Sequence, residues 1–336
     1  MPMGITNILE NMMNILVLSA GTRDKVVRYF KETLKGKGNV IATDCSNLAP
    51  AIYDADKAYI VPRIDAPDYI DKVIDICKKE KIDGVFSLID PELSLIAKER
   101  ARFEEVGTTP IVSSYDLCEM SLDKYAMYKF LTEKGISTGK CYIDKDSFYK
   151  AKAAGEITYP VFVKPRLGSA SLNINMVNTD EEINTLFDIY DDLMIQEYMK
   201  GQEYGADIYI DMISGKCVSI FLKKKIKMRA GETDKSVSVK DPELFDKLAA
   251  FAEDCGYRGM IDADLFLDDG KWYLSEINPR FGGGYPHAYE CGVNFPKLVI
   301  NNLEGKENAP AIGDYKEGIY MMKYNDLLIL PESELV

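Results

Sequence analysis

The stretch "LSEINPRFGGGYPHA", residues 274–288, decides how the rest of this chain is read. Glu276 and Asn278 are two apart, so on an extended strand both side chains point to one face. Pro279 and Arg280 follow, and then three consecutive glycines, Gly282 to Gly284. A carboxylate, an amide and a guanidinium ahead of backbone that can approach a ligand closely suit a strand end holding a metal ion beside phosphate. An ordinary polar turn could carry the same letters, so the flanking sequence has to separate the two readings.

Immediately upstream, "DADLFLDDGKWYLSEINPR" (262–280) reads as a hairpin in which a DDG turn joins two apolar strands. Asp264 on the first strand and Glu276 and Asn278 on the second then face one another, with Asp262 on the same face as Asp264. Hard oxygen ligands of this kind are what Mg2+ takes when it also keeps phosphate and water. Arg280 is placed to neutralise charge on a transferring phosphoryl group. The competing reading is a solvated acidic hairpin. Against it, Glu276 lies inside the apolar run "WYLSEI", where a lone carboxylate is expensive.

Further out, "VFVKPRLGSASLNI" (161–174) sets Lys164 in an apolar strand, followed by a small, hydroxyl-bearing loop with Arg166, Gly168, Ser169 and Ser171. Such a loop can fold over phosphates with its backbone N–H groups; an edge-strand lysine reaching solvent is the plainer alternative. "MIQEYMKGQEYGADIYI" (194–210) bends at a glycine between Glu197 and Glu203. In "KKKIKMRAGET" (223–233), Lys223, Lys225 and Lys227 alternate with other residues and make one strand face basic. Arg229 is placed there to hold a substrate carboxylate. A solvated edge strand blunted by lysine fits the same letters. "LIDPELS" could aim Asp90 and Glu92 at the same cleft, although helix capping explains Asp90 equally well.

Before these motifs the pattern is different. "NILVLSAGTRDKVVRYFKETLKGKGNVIATDCS" reads as strand, glycine turn, helix, strand, with Val26, Val27, Phe30 and Leu34 at helical spacing. Strands at 57–62 and up to Asp90, one helix over 91–107 and a last strand in "TPIVSS" continue the alternation. That implies a parallel α/β sheet covered on both faces. The turn at Gly21 lacks GxGxxG, so a tight strand-to-helix turn is preferred to a dinucleotide site with Asp44 as the ribose acid. After a helical connector come a short β-rich unit, long antiparallel strands from about 200, a helix at 242–255 and a closing helix near 295–303.

The balance of 41 Lys and Arg against 54 Asp and Glu gives a net charge of −13, which disfavours nucleic acid and anionic membrane as partners. The seven cysteines contain no CxxC pair, and with no targeting segment in "MPMGITNILENM" they read as reduced cytoplasmic thiols. The single histidine, His287, rules out a multi-His metal site. No apolar run approaches the ~20 residues needed to span a bilayer.

Taken in order, the α/β unit, the helix "DKYAMYKFL", "VKPRLGSAS", "QEYMKGQE" and "D…EINPR" resemble the ATP-grasp superfamily over about 14–305. "NPRFGGGYP" is the most specific stretch, and the likeness is strongest to small, single-module relatives of the carbamoyl-phosphate synthase large subunit. The resemblance implies an α/β, ATP-grasp fold: a lead-in (1–13), an N-terminal parallel α/β domain (14–113), a helical connector with a small lobe (114–198), a large lobe with the metal site (199–325) and a tail (326–336). It implies ATP between the two lobes and Mg2+, expected as two ions with Mn2+ as a substitute. The implied reaction activates a carboxylate as an acyl phosphate, which an amine then displaces.

Carried over by position, Lys124 resembles the first nucleotide lysine and Lys164 the lysine on the α/β-phosphates, while 166–171 resembles the phosphate lid. Glu197, Tyr198 and Met199 resemble the adenine-contacting bend and Glu203 the ribose acid. Asp264, Glu276 and Asn278 take the Mg2+-ligand positions, and Arg280 that of the transition-state arginine. The lid has one glycine where many members have several. No glutaminase domain or second synthetase half is present, so full carbamoyl-phosphate synthesis is not expected. An acyl or carbamoyl phosphate-forming enzyme and a non-catalytic nucleotide-binding regulator remain alternatives to the ligase. A homodimer through the N-terminal unit fits the same resemblance.

Overall fold

The computed structural model describes residues 12–168 and 174–336. Ser169 and Ser171, and all but the end of the lead-in, lie outside the described residues. The chain divides into two compact units. The first takes in the residues up to Leu88 with Glu99–Ile111 and Leu328–Val336, and the second Ile89–Lys98 with Val112–Leu327.

The first unit runs β1 (Ile15–Leu18), α1 (Asp24–Leu34), β2 (Val40–Asp44), β3 (Lys57–Ile60), α2 (Tyr69–Glu80) and β4 (Gly84–Ser87). After α3 (Asp90–Lys98), which belongs to the second unit, it resumes with α4 (Arg100–Glu105) and β5 (Thr109–Pro110). The strands pair in parallel in the order β3-β2-β1-β4-β5. α1 buries Val26, Val27, Phe30 and Leu34, the positions its spacing marks. Two expectations need correction. β4 stops at Ser87, and Asp90 opens α3, because an aspartate followed by proline suits the first turn of a helix. The expected helix over 91–107 is two helices, α3 and α4. The Gly21 turn is closed by Asp44 itself, whose carboxylate accepts the Gly21 N–H at 2.9 Å and the Ser46 N–H at 3.0 Å.

The second unit continues with α5 (Tyr115–Leu122), α6 (Lys124–Glu133), β6 (Cys141–Tyr142), α7 (Lys145–Ala153), β7 (Val161–Pro165), β8 (Asn175–Val177), α8 (Asp180–Ile189) and β9 (Leu193–Glu197). Its four-stranded sheet has the order β6-β9-β7-β8. One sheet face contributes Val161, Val163, Leu193 and Ile195 to a core with Phe148 and Ile183. By alternation, Phe162, Lys164, Met194 and Gln196 point the other way.

The larger sheet is built from β10 (Gln202–Ile210), β11 (Cys217–Arg229), β12 (Glu232–Val239), and, after α9 (Pro242–Cys255), β13 (Gly259–Asp268) and β14 (Lys271–Asn278). α10 (Tyr285–Glu290), α11 (Phe295–Leu303) and β15 (Tyr320–Met322) complete it, with the strand order β14-β13-β10-β11-β12-β15. α9 occupies the span read from sequence, between an Asp241 N-cap and a left-handed Gly256. The DDG turn has positive φ at both Asp269 and Gly270, the backbone a two-residue hairpin loop requires. Among the described residues no helix is long and apolar enough to cross a membrane, and all seven cysteines are free.

Candidate active site

The register of the large sheet assembles one charged face. Across β13 and β14, Asp264 pairs with Glu276 and Asp262 with Asn278, so these four side chains share a face. A register shift just beyond Asp264 places a bulge there, and it is this extra residue that sets Glu276 opposite Asp264. Across β10, Gly205 lies opposite Asp264 and Asp207 opposite Asp262. β11 brings Lys223 opposite Gly205, with Lys225 two residues further on the same face.

Gly205 makes this arrangement sterically possible. A Cβ there would meet Lys225 Cε at 3.1 Å and Lys223 Cε at 3.2 Å, so its absence lets both lysines cross β10. Lys225 Nζ donates to Glu203 Oε1 at 2.8 Å and Asp264 Oδ1 at 2.5 Å. Lys223 pairs with Asp207, and both side chains are almost wholly buried. Burial works against the Lys225 charge, but Asp264 and Glu203 outweigh it and raise its pKa. The solvated-edge reading of this strand is therefore overturned: β11 lies between β10 and β12, with Lys223 and Lys225 buried. Register shifts between Lys225 and Met228 end the basic row, and Lys227 is exposed. Arg229 is also exposed, 3.5 Å from Asp234 and bonded to Asn325 Oδ1 at 2.9 Å.

Arg280 follows β14 and is held from two sides. Its Nη2 and Nε donate to Asp90 Oδ2 at 3.1 and 3.2 Å, and its Nη1 lies 3.6 Å from Asp262. Asp90 comes from the first turn of α3, so this carboxylate holds the arginine as well as opening the helix. The three glycines that follow are close-approach positions. A Cβ on Gly282 would fall 2.4–2.6 Å from the Asp262 carboxyl group, one on Gly283 2.8 Å from Glu232, and one on Gly284 2.6 Å from Lys223. The glycine run packs against the charged face of the sheet.

His287 in α10 accepts from the Ser236 hydroxyl at Nδ1 (2.8 Å) and donates from Nε2 to the Ile319 carbonyl (3.0 Å). The carbonyl can only accept, which fixes the neutral Nε2–H tautomer. Burial, with the Lys223 charge, pulls its pKa down to about 4.

From the small sheet, Lys164 is buried, and its ammonium makes no hydrogen bond among the described residues. β7 lies between β9 and β8, so this lysine is not on an edge strand. Its charge is felt at Glu276, whose carboxylate likewise makes no hydrogen bond among the described residues. Burial raises the Glu276 pKa, with Lys164 opposing and Asp264 adding to the rise. Lys124, at the start of α6, donates to the Gly168 carbonyl; burial lowers its pKa, and Glu276 pulls the other way. Arg166 Nε bonds Asp123 at 2.9 and 3.0 Å, and Asp123 also caps α6. This carboxylate thus clamps the segment after β7 to the helix that carries Lys124.

The residues from Glu197 to Met199 sit at the end of β9. The Glu197 carboxylate accepts the Lys140 N–H at 3.0 Å, and Glu197, Tyr198 and Met199 line a cavity of about 440 Å³ with Ser137, Asp268 and Tyr273. Asp207 and the Lys225–Asp264 pair are missed by sequence reasoning. The one signal for them is Gly205, a glycine inside a nine-residue strand, which marks a close approach of other groups.

The oxygen-only set of Asp264, Glu276 and Asn278 has the chemistry that Mg2+ takes. Among the described residues no three acidic, His or Cys side chains form a ready-made cage. Mg2+ is commonly bound through one or two carboxylates together with substrate phosphate.

A parallel α/β sheet together with a small and a large antiparallel sheet, a buried lysine on the small one and carboxylates on the large one, defines a class: the fold is the ATP-grasp fold. Residues 15–111 match the family model described as PylC-like, N-terminal domain. Residues 190–327 match the one described as ATP-grasp in the biosynthetic pathway with Ter operon. The carbamoyl phosphate synthase arginine-specific large chain of Geobacillus stearothermophilus is 22% identical over 80% of this chain, which spans only 26% of that relative. D-Alanine–D-alanine ligase of Campylobacter concisus is 29% identical, over 71% of this chain and 72% of its own length. Among solved structures, the biotin carboxylase domain of Hydrogenobacter thermophilus 2-oxoglutarate carboxylase, a dimer with MgADP, ADP and bicarbonate, superposes with a TM-score of 0.71. It is 18% identical and covers 92% of this chain and 73% of its own.

Proposed function

We propose that this chain is an ATP- and Mg2+-dependent carbon–nitrogen ligase that activates a carboxylate as an acyl phosphate and joins it to an amine, releasing ADP and phosphate. The observation that carries this reading is the electrostatic coupling of Lys164 and Glu276, a buried ammonium and a half-buried carboxylate on different sheets, neither with a hydrogen-bond partner among the described residues. Buried charges left in that state are costly unless a ligand completes them. A nucleotide triphosphate with its metal supplies both missing charges. D-Alanine–D-alanine ligase, which this chain resembles along most of both lengths, is a ligase by name, and its kind of reaction is carried over here as part of the proposal.

ATP is the substrate between the two antiparallel sheets, with its phosphates drawn by Lys124 and Lys164. Gly168, Ser169 and Ser171 are the proposed backbone and hydroxyl donors to the phosphates, and Arg166 is held by Asp123. The Glu197–Met199 bend takes the base, and Glu203 takes the ribose hydroxyls. Mg2+ held by Asp264, Glu276 and Asn278 would, when bound, neutralise phosphate charge; a second ion and Mn2+ as a substitute belong to the same proposal. The substrate carboxylate attacks the γ-phosphorus and the bond to the β–γ bridging oxygen breaks, leaving ADP. Arg280, locked by Asp90 and Asp262, presents a fixed positive charge to the phosphoryl oxygens without reorganising. The amine then attacks the acyl carbon and phosphate departs with the bonding pair. Arg229, exposed at the end of β11, is the proposed anchor for a substrate carboxylate. The seven free thiols fit a cytoplasmic enzyme, and a homodimer is proposed by likeness to the dimeric biotin carboxylase domain.

The test is ADP release from Mg2+-ATP across pooled amino acids and small carboxylates, with and without amines, alongside Glu276→Ala. Turnover that needs both a carboxylate and an amine, and vanishes in the variant, supports the ligase. ADP release that needs a carboxylate but no amine, without release of free phosphate, favours an acyl phosphate-forming enzyme. Tight ATP binding with no turnover in any pool favours a nucleotide-binding regulator.

A further inference from the structure

We infer that Lys225 is a built-in counter-cation that keeps the metal site closed until nucleotide arrives, so that nucleotide and metal bind cooperatively. The inference rests on the proposed function, since it takes Glu203 as a nucleotide contact and Asp264 as a metal ligand. Its own observation is that one buried ammonium spans both carboxylates: Lys225 Nζ lies 2.8 Å from Glu203 Oε1 and 2.5 Å from Asp264 Oδ1. The Lys225 side chain is only 5% exposed, whereas those of Glu203 and Asp264 are 30% and 27% exposed. The lysine is fixed within the sheet, and the carboxylates look outward to where ligands arrive.

A divalent cation placed on Asp264 meets an ammonium already bonded to the same carboxylate. Two like charges on one carboxylate in a partly buried site repel strongly, because solvent screens them poorly. Metal binding therefore requires Lys225 to loosen its hold on Asp264. Ribose hydroxyls on Glu203 loosen the other end of the same ammonium. Each ligand thus removes part of the obstacle to the other, which is a positive coupling. Linkage makes it reciprocal: the factor by which nucleotide tightens metal binding equals the factor by which metal tightens nucleotide binding. Lys223 cannot serve in this way. It is paired with Asp207, and both members are buried to within 2% of completely, out of reach of an entering ligand.

The stem of Lys225 crosses β10 over Gly205, where any Cβ would crowd it. The missing side chain is what lets the stem pass over β10 and the ammonium reach both carboxylates.

The test is direct metal binding by the full-length protein, with Mn2+ as the probe, read from the free Mn2+ electron-paramagnetic-resonance signal with and without saturating ADP. For the wild type, binding without nucleotide is expected to be weak and to tighten at least tenfold with ADP. Lys225→Met is expected to bind Mn2+ at least tenfold more tightly than wild type without nucleotide, and to lose most of the gain from ADP. Lys225→Arg keeps the charge and is expected to restore both the weak binding and the coupling. Unchanged or weaker nucleotide-free Mn2+ binding in a folded Lys225→Met protein overturns the inference. If that variant does not fold, as judged by circular dichroism, Lys225→Gln is scored by the same criterion. Failure of wild-type protein to bind ADP in calorimetry would instead overturn the proposed function, and the nucleotide-free arm would still decide the role of Lys225.

Discussion

Arg280 and Asp90 stand 190 positions apart in the chain and hold each other through two hydrogen bonds, 3.1 and 3.2 Å long, to a single carboxylate oxygen. The guanidinium leaves the end of β14 and the carboxylate opens α3, so the pair fastens a short helix from early in the chain to the acidic face assembled late in it. Asp90→Asn is expected to leave Arg280 charged but loosely aimed. The turnover number should fall about 10- to 100-fold with little change in the ATP KM, because fixed orientation of the charge is what is lost. Steady-state ADP release at varied ATP checks this.

Glu276 is half-buried, and glutamine is its nearly isosteric neutral counterpart. Glu276→Gln should therefore fold with near-native stability, or slightly above it, since a carboxylate whose pKa is raised by burial costs stability where it ionises. Its ADP release is expected to fall about 10³-fold through loss of charge at the phosphates. Thermal melting and turnover are the two measurements, and a large joint loss of both would mean that the residue is structural.

The sole histidine gives a stability profile with a stated sign. His287 is held neutral, with its pKa near 4 against 6.5 for the free side chain, by burial and by Lys223, while Ser236 and the Ile319 carbonyl satisfy its two nitrogens. Between those values the unfolded chain binds the proton and the folded one does not, so stability falls as pH drops from about 6.5 towards 4. The full gap is worth about 3 kcal/mol at most. Urea unfolding at pH 7.5, 5.5 and 4.5 should show this slope, and His287→Phe should flatten it.

Two glycines should be irreplaceable for steric reasons. Gly282→Ala puts a Cβ within 2.6 Å of the Asp262 carboxyl group, against atoms already fixed by Arg280, and should cost about 1–3 kcal/mol together with most activity. Gly205→Val should cost a similar amount and displace Lys225, whereas Gly205→Ala, at 3.1–3.2 Å from two lysine stems, should be milder. Denaturant midpoints rank the three substitutions.

Much of this protein is set by local sequence. The spacing of Val26, Val27, Phe30 and Leu34 specifies α1, and the DDG turn specifies the β13–β14 hairpin, whereas the pairing of Asp264 with Glu276 rather than Ser275 comes from the bulge after Asp264. Asp241 and Gly256 bound α9, because capping and left-handed backbone are properties of a few neighbouring residues. The partners of the charges are not local. Whether Lys225 meets solvent or Asp264, and whether Asp90 only opens a helix or also holds Arg280, depends on which strands become neighbours in the six-stranded sheet. Strand order is decided by burial of the whole sheet, between segments tens to hundreds of residues apart. A sequence can show that a lysine in an apolar run needs an anion, but only the tertiary structure decides which carboxylate it reaches.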